Sequence, residues 1–397
     1  MKSSVNQTHV RSINQRVILD AIFQVDTISR ASLSRSVNLS KVAITENLSF
    51  LLDLGIVKEV GTGQSQTLGG RRPILLQFNK EYKHIVAIDL VYEDAIFSLA
   101  NLAGEIKNKF TIQVSNTSPY TVRFELMKNA ISVLLSSQNL SLDDVALIAI
   151  SSPGVFTPQD EKYQANEQFR NWRMDDLSLQ LKEHFETDVM IVNDVNAAAI
   201  GEFNHGAGKT SHNILYISCG LGIGAGMILN NTLYEGGSKS AGEIANFITD
   251  ANTEHPVNLE KRTNMVSFLR RIAEEAPQET LAKLGCPDVF TFKDVVRLWK
   301  EGDEFINICI DDIAKCLAVA FSNMVSLLNV DLIILGGEYR VFSERMLPII
   351  NQIIERTSFS PVPVVQSHLK YDASIYGLLT LARNNVFSQI CNKNIKA

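Results

Sequence analysis

Apolar positions recur at helical spacing through the first eighty residues and then switch to short, strand-sized runs. Ile13, Val17, Ile18, Ala21 and Ile22 mark one face of an amphipathic helix over roughly residues 11–24. In the following stretch, ISRASLSRSVNLSKVAITENLSFLLDLGIVKEV, Ser29 or Ser32 can cap a short second helix with Leu33 and Val37 inward. Asn38-Leu39 makes a turn, and Ser40 caps a third helix with Ile44, Leu48, Leu51 and Leu52 on one face. That helix ends near Gly55, a residue suited to a left-handed C-terminal position. Residues 56–60 and 74–78 can pair as a hairpin around a loop ending in Gly69-Gly70-Arg71-Arg72-Pro73. Beyond residue 80, strand-like runs fall at 84–91, 95–101, 109–114, 145–151, 188–193, 213–219, 223–229 and 331–335. Helical runs lie near 119–136, 175–187, 194–204, 261–275, 303–328 and 341–357. Meandering strands followed by βα units, seen twice, predict an α/β chain with two lobes.

Three helices and a hairpin in this order predict a winged helix-turn-helix over residues 1–79, with the third helix entering the major groove. The candidate DNA contacts are Ser40, Lys41, Ala43, Thr45 and Asn47 on that helix, with Arg71 and Arg72 in the wing. Lys41 suits phosphate or guanine, Thr45 and Asn47 can hydrogen-bond, and the Ala43 methyl can meet a thymine methyl. A three-helix protein-interaction domain with Arg71-Arg72 solvated fits the same pattern. Charge favours DNA modestly: residues 1–79 carry nine Lys/Arg against five Asp/Glu, and the other 318 residues carry 28 against 38. A reader of this kind recognises two half-sites as a dimer.

The chain's 397 residues are too many for one small core. No run approaches the ~18 apolar residues of a membrane span, and the N-terminal MKSSVNQTHVRSINQ holds no apolar signal segment. The five cysteines (219, 286, 309, 316, 391) are scattered without a CxxC pair, which suits reduced thiols in a cytoplasm.

Candidate chemistry sits in four stretches. HIVAIDLVYEDAIF (84–97) delivers Asp89 at or near a strand end and follows it with Tyr92, Glu93 and Asp94. IVNDVNAAAIGEF (191–203) runs from a strand through Asn193-Asp194 into a helix, a place where α/β proteins bind ligands, although Asp194 can also be only an N-cap. ISCGLGIGAGMIL (217–229) brings Gly220, Gly222, Gly224 and Gly226, which can cradle phosphates or make a tight hairpin. A strand-like run follows these glycines where a dinucleotide fingerprint needs a helix, so a Rossmann site is rejected. YEGGSKSAGEIANF (234–247) is a small-residue loop delivering Glu243 and Asn246.

Together with NQTHVRSINQ, ISRASLSRSVNLSK, GGRRPILLQFNKEY, SSPG (151–154) and LGGE (335–338), these motifs resemble the ROK family (repressors, open reading frames and kinases), in particular its xylose-repressor branch. The resemblance spans nearly the whole chain. It implies an actin-like ATPase (RNase H-like) fold of two lobes behind the winged helix. The lobes would be residues 80–200, completed by a C-terminal helix near 375–397, and residues 201–374. It further implies a sugar held between the lobes. Asp194 would correspond to the base that takes the sugar proton in ROK kinases, and Gly154, Asn193, Glu243 and Asn246 would line the sugar site.

Three departures shape the functional expectation. ROK kinases follow the first-strand aspartate with a Gly-Gly-Thr-type turn, whereas Asp89 precedes Leu90-Val91-Tyr92-Glu93-Asp94, and Leu221 replaces the threonine usual in the GTGIG turn. Carboxylates near a phosphate at ~4 Å repel it by about 1 kcal/mol each in water and about 4 at an effective dielectric of 20. No ATP is therefore expected, and Asp194 would be a vestigial catalytic base. The histidine and CxCGxxGC cysteines of many relatives are missing, with Asn246 at the histidine position, so zinc is not expected and His255 reads as a surface residue. Glu46 occupies a spot in the recognition helix that is often basic in relatives. The reading is a cytoplasmic, sugar-responsive repressor that binds operator DNA as a homodimer or homotetramer, with xylose or another aldose as effector. Two accounts compete with it: a ROK sugar kinase carrying a DNA-binding domain, and a DNA-binding protein whose effector is another protein.

Overall fold

The computed structural model describes residues 7–63, 72–91, 94–115, 117–157, 162–165, 172–250, 256–285 and 290–392. Arg71, Tyr92, Glu93, His255 and Cys286 lie outside these described residues. The chain begins with α1 (Gln7–Phe23), β1 (Ile28–Ser29), α2 (Arg30–Ser36), α3 (Lys41–Asp53), β2 (Val57–Thr62) and β3 (Ile74–Phe78). It continues with β4 (His84–Val91), β5 (Asp94–Asn101), β6 (Ile106–Gln113), α4 (Tyr120–Ser136), β7 (Val145–Ser152), β8 (Gly154–Thr157) and β9 (Lys162–Ala165). Next come α5 (Met174–Phe185), β10 (Val189–Asn193), α6 (Asp194–His205), β11 (Ile214–Cys219), β12 (Ile223–Leu229), β13 (Thr232–Leu233), β14 (Ile248–Asp250) and β15 (Val257–Asn258). The last part holds α7 (Leu259–Thr263), α8 (Met265–Glu275), α9 (Gln278–Leu284), α10 (Phe292–Lys300), α11 (Glu304–Leu328), β16 (Leu332–Gly336), α12 (Ser343–Thr357), β17 (Val364–Gln366) and α13 (Ala373–Asn392).

These elements form two compact units, Met1–Ile150 with Asn171–Ile191 and Leu379–Ala397, and Ser151–Arg170 with Val192–Leu378. The division at 192 leaves the whole of α6 with the second unit, whereas the expected boundary at 200 falls inside that helix. The first unit carries the winged helix and a sheet in the order β10-β7-β4-β5-β6. Every residue of β4 except Val91 is buried, as an unbroken apolar run requires when both sheet faces are covered. β6 instead alternates half-buried and exposed positions, with Lys107 and Lys109 outward, which suits an edge strand. β4 and β5 pair from His84–Asn101 to Val91–Asp94, so Asp89 lies opposite Ile96, only 3% exposed.

In the winged helix, Ser29 caps α2 by accepting from the Ser32 amide, and Ser40 caps α3 by accepting from Ala43 at 3.2 Å. Asn38 takes φ +53 in the turn, and the Ser34 hydroxyl donates to the Leu39 carbonyl across it. β1 adds a third strand beside the expected hairpin, in the order β1-β3-β2.

The winged helix is fastened to the C-terminal half of α13. Phe23 of α1, Phe78 of β3 and Phe387 of α13 form an edge-to-face triad with centroids 5.2 to 5.8 Å apart. Arg16 donates to the Asn384 carbonyl and the Ser388 hydroxyl, Ser12 donates to Asn392, and Arg383 lies over the Phe23 ring. Truncating a buried aromatic at such a junction costs about 3–5 kcal/mol. Phe387→Ala is thus expected to unfold the first unit at markedly lower denaturant, and an unchanged transition would refute the fastening.

The second unit is built on the sheet β13-β12-β11-β16-β17, with β11 antiparallel to β12 and parallel to β16. Leu215, Ile217, Cys219, Ile223 and Ala225 face a core filled by α11, α12 and the rings of Phe268, Tyr339 and Phe342. The alternate positions Gly224 and Gly226 face α6 instead: a Cβ at Gly226 would meet the Ala199 Cβ at 2.6 Å and the Val195 carbonyl at 2.7 Å. These two glycines serve helix-on-sheet packing. The expected helix at 261–275 splits at Asn264, whose side chain caps α8 by accepting from Ser267.

Candidate functional site

On α3, the candidate DNA-reading helix, Lys41, Thr45 and Glu46 are exposed and Ala43 is half-buried. Ser40 is spent in part on its cap, and the Thr45 hydroxyl donates back to the Lys41 carbonyl at 2.9 Å. Arg72 is exposed beside the wing strands. Asn47 corrects the expectation: it is 5% exposed and donates to the Ala43 carbonyl at 2.8 Å. It falls on the same stripe as Ile44, Leu48 and Leu51, so helical period turns it into the domain and away from the groove.

The residues expected to hold a sugar all belong to the second unit: Gly154, Asn193, Asp194, Glu243 and Asn246. β10 ends at Asn193, whose side-chain oxygen caps α6 by accepting from Asn196 at 2.9 Å while its NH2 donates to the Gly154 carbonyl at 2.9 Å. Gly154, at φ +136, is thereby clamped to the start of the helix. Among the described residues, one amide hydrogen and one lone pair of Asn193 have no hydrogen-bond partner. Asp194 opens α6, and burial, with the charges of Glu338 and Glu243 nearby, raises its carboxyl to about 6 despite backbone hydrogen bonds that favour the anion.

Glu243 arrives through Gly242. At φ +94 a Cβ there would overlap the Ala225 carbonyl, and the Ala225 amide donates to Gly242 at 2.9 Å, pinning the loop to β12. Glu243 remains accessible to solvent, yet the protein around its carboxyl and the charge of Glu260 hold it above the usual carboxylate range. Asn246 is exposed at the end of the short turn Ile244–Asn246.

Glu338 and Glu260 are members of this cluster that the sequence reading passed over. Gly337 has φ +71 and no room for a Cβ against the Cys219 carbonyl, and a side chain at Gly336 would strike the Tyr216 ring. The LGGE backbone is therefore pressed onto the end of β11 and carries Glu338 over Gly220, where a Cβ would overlap its Oε2. Glu260 Oε1 lies 3.5 Å from where a Cβ on Gly222 would be. The LGGE signal was visible in the sequence. Its carboxylate acquires meaning only once β16 is set beside β11.

A cavity of about 570 Å³ lies elsewhere in the second unit, lined by Thr280, Lys283 and Asp303 among others. Its buried Asp303 caps α11 and accepts from Thr280, so it is a structural carboxylate and the cavity is not part of the cluster at Asp194. Among the described residues no group of three or more His, Cys, Asp or Glu side chains is arranged to hold a metal ion.

The ROK family model matches residues 85–385. A xylose repressor of Caldicellulosiruptor bescii is 26% identical over 399 aligned positions, covering 96% of this chain and 98% of that protein. A xylose repressor of Bacillus subtilis is 34% identical over 255 positions, 62% of this chain and 63% of that one. Among solved structures, a ROK family transcriptional regulator described as a homologue of the Escherichia coli MLC protein superposes with TM-score 0.79 at 20% identity, covering 98% and 99% of the two chains. The chain belongs to the ROK family. Its two units have the actin-like, RNase H-like α/β fold of that family, behind an N-terminal winged helix-turn-helix.

Proposed function

We propose that this protein is a DNA-binding transcriptional repressor of carbohydrate metabolism that senses a monosaccharide without phosphorylating it. One observation carries the reading: a helix-turn-helix with exposed Lys41, Thr45 and Arg72 shares a chain with a ROK domain. Proteins named xylose repressor match that combination over nearly their whole length. The sugar site is the cluster of Asn193, Asp194 and Glu243, with Gly154 shaping its floor and Asn246 at its edge. Xylose is the first effector to test, followed by other aldoses. The DNA is a paired half-site operator, read by a homodimer or by a homotetramer of two such pairs. No helix among the described residues is long and apolar enough to cross a membrane, in keeping with action on DNA in the cytoplasm.

For a sugar to release DNA it must bind the DNA-incompetent state more tightly, and moving a 1:99 balance to 99:1 takes about 5.5 kcal/mol. Charge-assisted hydrogen bonds of about 1.5–3 kcal/mol each, donated by sugar hydroxyls to Asp194 and Glu243, supply a large share of that difference. Fluorescence anisotropy with DNA from upstream of the protein's own reading frame tests the proposal: salt-sensitive binding that xylose or another aldose alters supports it. Absence of binding at micromolar protein refutes it. In the same assay Lys41→Ala is expected to weaken binding evenly across sequences and to lower the salt slope by about one. A loss confined to one base position would assign Lys41 to base reading instead.

The kinase reading keeps one point in its favour, the placement of Asp194 at the start of α6. Against it stand Leu221 and the glycine-free run after Asp89. A coupled ADP-release assay over a panel of monosaccharides decides: turnover abolished by Asp194→Asn would establish an enzyme.

A further inference from the structure

We infer that Glu338 is a specificity-determining residue that closes the glycine turn at 220–222 to phosphate groups, so that the site takes unphosphorylated carbohydrates and refuses sugar phosphates and nucleotides. The inference deepens the carbohydrate-effector reading of Asn193, Asp194 and Glu243 and rests on it.

A phosphate held at a glycine turn needs free backbone N–H donors and empty space left by missing side chains. Neither is on offer at Gly220. Its amide donates within the turn to the Gly222 carbonyl at 3.1 Å, and its carbonyl accepts from the Met265 amide at 2.7 Å. The space its missing side chain leaves is filled by the Glu338 carboxylate. Gly222, two residues on, faces Glu260. The turn thus presents acceptors where an anion requires donors.

Glu338 is held there by backbone. Gly337, at φ +71, is fixed against Cys219, and Gly336 ends β16 in register with Ser218 of β11. The backbone that carries Glu338 cannot move aside without breaking the parallel pairing of β11 and β16, so the side chain starts from a fixed point over Gly220. The charges that bear most on Asp194 are those of Glu338 and Glu243, and the charge that bears on Glu243 is that of Glu260. A neutral polyol can donate hydroxyls to each of these carboxylates, whereas a phosphate dianion meets like charge at every one.

Isothermal titration of the full-length protein with pyrophosphate, ADP, and monosaccharides paired with their phosphate esters tests the inference. The wild type is expected to bind neither pyrophosphate nor ADP at millimolar concentration and to prefer each sugar to its ester. Glu338→Gln, which keeps the shape and removes the charge, and Glu338→Gly, which removes both, are expected to gain at least about tenfold in affinity for pyrophosphate and ADP. Melting curves of both variants establish that they are folded. Wild-type binding of a sugar phosphate at least as tight as that of the parent sugar would overturn the inference, as would unchanged pyrophosphate affinity in both folded variants. If the variants gain pyrophosphate while no neutral sugar binds the wild type, Glu338 keeps its role and the carbohydrate-effector reading is the one that fails.

Discussion

Asp194→Asn is expected to make the protein more stable at neutral pH and at the same time unresponsive to its effector. The carboxyl sits at about 6 in the folded chain against an ordinary value of 3.8, because burial and the charges of Glu338 and Glu243 disfavour the anion. Between those two values the folded state holds more protons than the unfolded one, so stability falls as pH rises through the window and stays lower above it. Asparagine carries no charge to disfavour and can still accept from the Val195 amide. The variant should match the wild type near pH 4 and exceed it by on the order of 1–2 kcal/mol at pH 7. The effector response should run the other way. A sugar hydroxyl bonded to a carboxylate loses about 1.5–3 kcal/mol when the charge goes, a ten- to hundredfold loss of affinity, with DNA binding retained. Wild-type sugar affinity should also strengthen as pH rises through about 6. Chemical denaturation at pH 4 and 7, with and without sugar, checks both halves. A variant less stable than the wild type at pH 7 would show that the Asp194 anion is favoured where it sits. Unchanged sugar affinity would take Asp194 out of the binding site.

How much of this was legible beforehand depended on whether a residue's role was local. Ser40 at the start of α3 announces itself, because a cap acts within three residues of its own position, whereas the cap of α6 is Asn193 and not the Asp194 that the sequence offered. The apolar run Ile85-Val86-Ala87-Ile88 of β4 reads equally well, since burial on both faces leaves no polar position to alternate there. The four glycines of ISCGLGIGAGMIL look alike in sequence and differ in space. Gly220 and Gly222 turn the chain, while Gly224 and Gly226 admit α6, a distinction that rests on which face of β12 the helix covers. Asn47 was misread because a polar residue near the start of a recognition helix invites an outward placement, whereas its spacing from Ile44 and Leu51 puts it inside. α9 and α10 went unread for a simpler reason. They span 7 and 9 residues, too short for a periodic pattern to stand out, although the Thr291–Asp294 capping box of α10 was there to be found. Glu338 could be quoted as part of LGGE, yet its neighbour Gly220 lies more than a hundred residues earlier in the chain.

Glu202→Ala is expected to cost about 3–5 kcal/mol, enough to unfold the second unit at physiological temperature if that unit is as marginal as most domains. Glu202 is fully buried, and both its oxygens are engaged: Oε2 accepts from the Ala207 amide, and Oε1 accepts from the Ser367 hydroxyl and the Leu369 amide, all at 2.7 Å. Alanine would leave three donors without a partner in a space water cannot readily reach, and each orphan costs about 1–3 kcal/mol. Glutamine keeps the shape but turns one acceptor into a donor, so it should cost about 1–3 kcal/mol, with the clash falling at whichever oxygen position receives the NH2. The consequence reaches the proposed sugar site through α6 itself. Glu202 anchors the far end of the helix whose first residue is Asp194, eight positions or about 12 Å away, by tying it to the segment that leads into α13. Glu202→Gln should therefore weaken effector affinity beyond what its loss of stability alone explains, while the winged helix, which belongs to the first unit, keeps its affinity for DNA. Urea denaturation of both variants, read beside sugar titration and DNA binding, is the measurement. If alanine proved neutral, water would have to reach the site and the anchor would be dispensable. If glutamine lowered DNA affinity as strongly as sugar affinity, the damage would be global unfolding and not a displaced Asp194.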